Sequence, residues 1–185
     1  MKILKFLLVI FITISSAVKA DLNQNLINEL QKGGKLIFIR HAYAPGGGDP
    51  DNFDINDCAT QRNLSQNGIK QSKKIGNFFK KNNISIDLVL SSEWCRCKDT
   101  AKYAFGKYKT FKGLNSFYDH RFHKFKTKQI NELKKFIQNW DNKKNLVLVT
   151  HYVVILEILG LSASSGEIII SSKNLDVIKS INILN

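Results

Sequence analysis

Two histidines and two arginines, far apart along the chain, share one local setting: each closely follows a short apolar run. Arg40-His41 comes after Leu36-Ile37-Phe38-Ile39, Arg96 shortly after Leu88-Val89-Leu90-Ser91-Ser92, and His151 after Leu146-Val147-Leu148-Val149-Thr150. A planar guanidinium fork matches phosphate oxygens two at a time, so Arg40 and Arg96 suit a doubly charged phosphomonoester. An imidazole with an unprotonated ring nitrogen can attack phosphorus, and neighbouring guanidinium charge keeps it unprotonated by opposing a second proton. His41 is therefore the candidate nucleophile, its other ring nitrogen expected to donate to a backbone carbonyl that fixes the tautomer. His151 is the candidate donor to the equatorial oxygens as the phosphoryl group transfers. None of the four points to chemistry alone; their common placement does.

That placement needs a particular scaffold. The run from Lys35 to Arg40, preceded by Gly33-Gly34, reads as a buried strand. Ser65 can cap an amphipathic helix of about four turns marked by Ile69, Ile75 and Phe79. Leu88 to Leu90 reads as a second strand and Trp94 to Phe105 as a helix ending before Gly106. Thr110 to Leu114 is a weaker strand, and Ile130, Leu133, Ile137 and Trp140 mark a third helix. The clearest strand, Leu146 to Val149, runs through Thr150-His151 into a helix from Val153 to Leu159. Two β-rich pieces follow, Glu167 to Ser171 and Leu175 to Ile183, the last expected to run antiparallel at an edge. The alternation predicts a three-layer α/β/α sandwich with a mainly parallel central sheet and an antiparallel edge strand. In such sheets ligands bind beyond the carboxyl ends of the strands, where Arg40-His41, Arg96 and His151 all fall.

Met1 to Ala20 has the layout of a secretory signal: Lys2 and Lys5, an apolar run from Phe6 to Ile14, and small residues at Val18-Lys19-Ala20. The run is shorter than the roughly 20 residues of a membrane span. Cleavage after Ala20, a single domain over 21–185 and a periplasmic or secreted location are expected, without stable membrane insertion; an uncleaved anchor is the alternative. Losing Lys2, Lys5 and Lys19 lowers the formal charge from +13 to +10, a balance that favours anionic partners. The lysines are scattered through a chain rich in Lys, Asn and Ile, so no nucleic-acid partner is expected. Cys58, Cys95 and Cys97 allow one disulfide and one thiol in an oxidising compartment. Cys95 and Cys97 are too close to bridge each other in a helix, leaving Cys58 to pair with either. C-x-C plus one distant cysteine lacks the spacing of a zinc site.

Phe38-Ile39-Arg40-His41-Ala42 resembles the opening Arg-His-Gly/Ala motif of the histidine phosphatase superfamily, the phosphoglycerate mutase-like proteins. Arg62-Asn63-Leu64-Ser65-Gln66-Asn67-Gly68 resembles that family's first-helix start, Ser91-Ser92 through Arg96 to Thr100-Ala101 its second arginine motif, and Val149-Thr150-His151 its late histidine motif. The motifs stand in the family's order over most of residues 35–160. The resemblance implies a phosphatase with a covalent phosphohistidine at His41, phosphate contacts from Arg40, Arg96 and His151, and no metal or other cofactor. Arg62 is either a further phosphate contact or a surface arginine at a helix start. Asp57 to Ser65 and Trp94-Cys95-Arg96-Cys97 look like a small exported subgroup, in which a disulfide from Cys58 would hold both Arg62 and Arg96. Its substrates would be small phosphorylated molecules such as sugar phosphates or the phosphorylated core sugars of lipopolysaccharide.

The chain departs from the pattern at the acid that protonates the leaving oxygen. His151 is followed by Tyr152, and Asp119 in Leu114-Asn115-Ser116-Phe117-Tyr118-Asp119-His120-Arg121 is the candidate. A phosphohistidine or acyl phosphate would need little such help. Asp49, Asp51, Asp54 and Asp57 crowd one loop without the Gly and Glu of a calcium site, and read as a solvated loop overhanging the pocket. Gly46-Gly47-Gly48 lacks the Lys-Ser/Thr of a phosphate loop and reads as a hinge. The competing functions are a non-catalytic anion-binding protein that retains the pocket and a basic protein that binds polyanion surfaces.

Overall fold

The structure, a computed structural model, describes residues 24–183; the signal sequence expected at 1–20 lies outside them. Six strands form one sheet: β1 (Leu36–Arg40), β2 (Ile86–Ser91), β3 (Lys109–Thr110), β4 (Asn145–Thr150), β5 (Ile168–Ser171) and β6 (Val177–Ile181). Their spatial order is β3-β2-β4-β1-β5-β6. β1, β2 and β3 join β4 in a parallel block, whereas β5 runs antiparallel to β1 and β6 antiparallel to β5. Two strand pairings are therefore antiparallel, one more than expected: β5 carries its Ile-Ile-Ile run fully buried between β1 and the edge strand β6.

Alternation along the central strands builds two apolar layers. Leu36, Phe38, Leu90, Leu146 and Leu148 face α4 (Lys126–Asn139) and α5 (Tyr152–Leu159) through Ile130, Leu133, Ile137, Val154 and Ile155. Ile37, Ile39, Val89, Val147 and Val149 face the other way, against α1 (24–32), α2 (Gln66–Lys81) and α3 (Cys95–Phe105), through Leu26, Leu30, Ile75, Phe79 and Ala101. Helices thus cover both faces, as the sequence predicts. Each fully buried aliphatic side chain contributes roughly 1.5–3 kcal/mol, and β1 and β4 supply Leu36, Ile37, Ile39, Leu146, Val147, Leu148 and Val149 from the middle of the sheet.

Local signals set the element ends that matter for the site. Ser65 caps α2 by accepting from the Gly68 N–H at 3.2 Å. Gly68 is required there, since a Cβ would stand 2.1 Å from the Tyr43 carbonyl oxygen of the loop after β1. The weak strand expected at Thr110 to Leu114 is only Lys109–Thr110; Lys112–Leu114 turns as a 3-10 helix. That turn sends Leu114 into the core and brings its carbonyl to the Thr150 hydroxyl at 2.6 Å. Among the described residues, no helix is long and apolar enough to cross a membrane.

Candidate active site

β1, β4 and β2 end level with one another: Arg40 pairs with Thr150, and Ser91 with Val149. The chain beyond each end stays tied to the sheet, with His41 N–H donating to Thr150 O and Ser92 N–H to Val149 O, both at 2.9 Å. His41, Ser92 and His151 are thereby delivered to one place. Here a cavity of about 140 Å³ opens, lined by Arg40, His41, Arg62, Arg96, His151 and Asp49 together with the Gly46-Gly47-Gly48 loop, Tyr118 and Tyr152. Trp94 and Arg96 begin α3, and His151 and Tyr152 begin α5, so two positive helix ends border the cavity.

His41 is 2% exposed and reached through this cavity. Its Nδ1 donates to Ala42 O at 2.8 Å, which leaves Nε2 as the unprotonated nitrogen, without a partner among the described residues. Burial pushes its pKa well below the usual 6.5, and the Arg96 guanidinium, with Arg40 and Arg62 further off, adds to the shift against the opposing Ala42 carbonyl. The ring is therefore neutral at neutral pH.

His151, 5.5 Å from His41 between ring centroids, is also held well below 6.5, by burial first and then by Arg96. It stands at the N-cap of α5 but makes no cap bond. Its Nε2 instead meets Ser92 Oγ at 2.9 Å and Cys97 Sγ at 3.4 Å. The Ser92 hydroxyl spends its one proton on Asn115 Oδ1, so Oγ accepts from His151 Nε2–H, and the neutral ring of the free protein carries its proton on that nitrogen. Asn115 supports Ser92: its Oδ1 lies 3.1 Å from Ser92 Oγ and accepts from the Glu93 N–H. Sequence reading placed Ser91-Ser92 at a strand end and gave neither a part in orienting His151.

Arg40 donates from Nη1 to Ala163 O at 2.7 Å and lies over the Tyr152 ring, 5.3 Å from its centroid. Its Nε–H and that of Arg96 are buried without a protein partner, a cost that a bound oxyanion would relieve. Arg62 lines the cavity but donates from Nε to Gly48 O and from Nη1 to Ala44 O. Two of its donors thus brace the glycine loop.

Two acidic residues sit otherwise than the sequence indicates. Asp49 is not solvated: its side chain is 9% exposed and grips Arg96, Oδ1 to Nη1 at 2.7 Å and Oδ2 to Nη2 at 3.1 Å. It also accepts from Arg62 N–H and Trp94 Nε1–H. Burial works to raise its pKa, but the Arg96 contacts with these two donors outweigh that and hold it below the usual value. Asp119, the expected acid, caps a 3-10 turn at the cavity mouth. Arg121 binds both its oxygens, at 3.0 and 2.8 Å, and together with the Arg121 N–H holds its carboxyl at about 2. In the free protein Asp119 is thus ionised and engaged by Arg121 at the more exposed edge of the cavity.

Of the two pairings open for Cys58, the structure has Cys58–Cys95, with Cα atoms 5.7 Å apart. The bridge joins the loop leading to Arg62 to the first turn of α3 beside Arg96. Cys97 is a free, buried thiol that burial pushes up to about 12. Among the described residues, no cluster of three or more His, Cys, Asp or Glu could hold a metal.

The parallel block flanked by antiparallel β5 and β6 is a fold that solved structures of phosphatases and of a phosphoglycerate mutase share. Structures sharing it include the protein histidine phosphatase SixA complexed with tungstate, 14% identical with a TM-score of 0.56 over 80% of this chain and 97% of that one. The putative phosphohistidine phosphatase SixA from Agrobacterium tumefaciens is 17% identical with a TM-score of 0.57 over 80% and 97%, and phosphoglycerate mutase from Thermus thermophilus is 14% identical with a TM-score of 0.53 over 80% and 98%. At these identities the likeness is one of fold. No family model and no curated protein sequence matches the chain.

Proposed function

We propose that this protein is a phosphomonoesterase that transfers the phosphoryl group to His41 Nε2 and then to water. The observation that carries the reading is the state of His41: neutral, its tautomer fixed by Ala42 O, its free nitrogen in a cavity ringed by three guanidinium groups. Arg40 and Arg96 bind the phosphoryl oxygens through the donors they leave unpaired. A bound dianion favours a second proton on His151, whose Nδ1 then donates to the charge that develops on the equatorial oxygens. Asp49 offsets one guanidinium, so the inner cavity carries a charge suited to a dianion rather than a polyanion. No step calls on a metal.

We further propose that the protein acts outside the cytoplasm on sugar phosphates. Support for export comes from the signal-like residues 1–20 and from the Cys58–Cys95 bridge, which suits an oxidising compartment. Support for a ring-shaped leaving group comes from Tyr118, 55% exposed at the mouth with its ring 5.7 Å from that of Tyr152. The test is turnover of p-nitrophenyl phosphate by the mature protein in chelator, alongside His41→Ala. Activity that disappears in the variant is expected; phosphate binding without turnover would leave an anion-binding protein.

A further inference from the structure

Two carboxyl groups line the cavity, and only one of them lies deep in it. Asp119 stands at the mouth, its side chain 24% exposed and both its oxygens held by Arg121. Asp49 lies inside, on the guanidinium that the proposed chemistry assigns to the phosphoryl group. We propose, resting on the phosphatase reading above, that Asp49 is the catalytic acid: it protonates the leaving oxygen and then takes the proton of the attacking water.

The contacts of Arg96 allow this. Asp49 uses Nη1 and Nη2, while Nε–H is left over. One guanidinium can therefore hold the carboxyl on one edge and a phosphoryl oxygen on another. In the free protein Arg96 keeps the carboxylate charged. A bound phosphomonoester brings up to two negative charges to the same largely buried guanidinium, and like charges sharing a site favour the protonated carboxyl. Burial of Asp49 already works in that direction. Asp49 takes up a proton from solvent as the substrate binds.

The steps balance. His41 Nε2 forms a bond to phosphorus as the bond to the leaving oxygen breaks; that electron pair stays on the leaving oxygen, which takes the proton of Asp49 and departs as an alcohol. Water then attacks phosphorus and gives its proton to Asp49. The N–P electron pair returns to His41, and inorganic phosphate leaves with Asp49 protonated again.

The experiment measures kcat/KM for substituted phenyl phosphates and glycerol phosphate with wild type, Asp49→Asn and Asp119→Asn. A positioned acid contributes about 10²–10⁴-fold, and most where the leaving oxygen is basic. Wild type is expected to depend only weakly on leaving-group basicity. Asp49→Asn should lose about 10²-fold or more on glycerol and phenyl phosphates and far less on p-nitrophenyl phosphate, while Asp119→Asn keeps the wild-type slope. An equal loss on every substrate would mean that Asp49 only holds Arg96, and overturns the proposal. So does a gain on every substrate, which would make Asp49 a plug, or a steepened slope in Asp119→Asn. Should Asp49→Asn fail to fold, the wild-type slope decides: a steep one is the behaviour of a site without an acid. Failure of wild type on p-nitrophenyl phosphate itself would instead sink the phosphatase reading, and this proposal with it.

Discussion

Removing the Cys58–Cys95 bridge should weaken both the fold and the site. The bridge spans a sequence separation of 37, for which the loss of unfolded-chain entropy gives about 4 kcal/mol; residual unfolded-state structure commonly lowers such values toward about 2. For a domain of this size each kcal/mol moves Tm by about 2–4 °C, so Cys58→Ser with Cys95→Ser should melt roughly 5–15 °C lower. The site should loosen as well, because Cys95 N–H donates to Gln61 Oε1, Arg62 follows Gln61, and Arg96 follows Cys95. KM for p-nitrophenyl phosphate should rise more than kcat falls. Urea denaturation of the double variant, of wild type with and without reductant, and of Cys97→Ala reads the difference. Cys97 is a buried thiol outside the bridge, so its variant should still respond to reductant as wild type does. A change below about 1 kcal/mol for the double variant, or a wild-type midpoint indifferent to reductant, would refute the reasoning.

The acid limb of kcat/KM should lie well below pH 6.5, since burial and Arg96 depress the pKa of His41 and the ring attacks only when neutral; a limb at 6.5 measured with p-nitrophenyl phosphate would contradict this. The same depression makes stability fall as pH drops below 6.5 toward the folded values of His41 and His151, because the unfolded chain then binds more protons, and urea midpoints at about pH 7.5 and about pH 5 report it. Ser92→Ala should lower kcat by on the order of 10²-fold, the size of losing one aligned donor, with little change in urea midpoint, as His151 loses the oxygen that orients its ring. Arg96→Lys should cost on the order of 10²-fold or more in kcat/KM, because an ammonium cannot grip Asp49 with two nitrogens and still present a third donor.

The scaffold was readable because its signals are local. Leu36 to Ile39 and Leu146 to Val149 are apolar runs that bury both faces, and Ser65 with Ile75 and Phe79 marks a capped helix at its own spacing. The four residues first singled out could be placed together because each lies at a strand end or within a few residues of one. Strand direction was less readable: Ile168–Ser171 has the same apolar run whether parallel or antiparallel, and only its place beside β1 decides. Asp49 was missed because it is one of four acids in a Gly- and Asp-rich loop without periodicity. What draws it inward is a set of contacts from residues 13 to 47 positions away, Arg62, Trp94 and Arg96. For Asp119 the neighbour two positions on, Arg121, was visible in the sequence, but the fork that closes on both its oxygens was not.

The most direct test of the account is to trap the intermediate. Mature protein mixed with p-nitrophenyl phosphate in chelator and quenched in base within a turnover should carry the mass of one phosphoryl group on the peptide containing His41, lost on brief acid treatment and absent from His41→Ala. An acid-stable adduct, an adduct on another residue, or turnover with no adduct at all would contradict the central claim that the imidazole at the end of β1 is the phosphoryl acceptor.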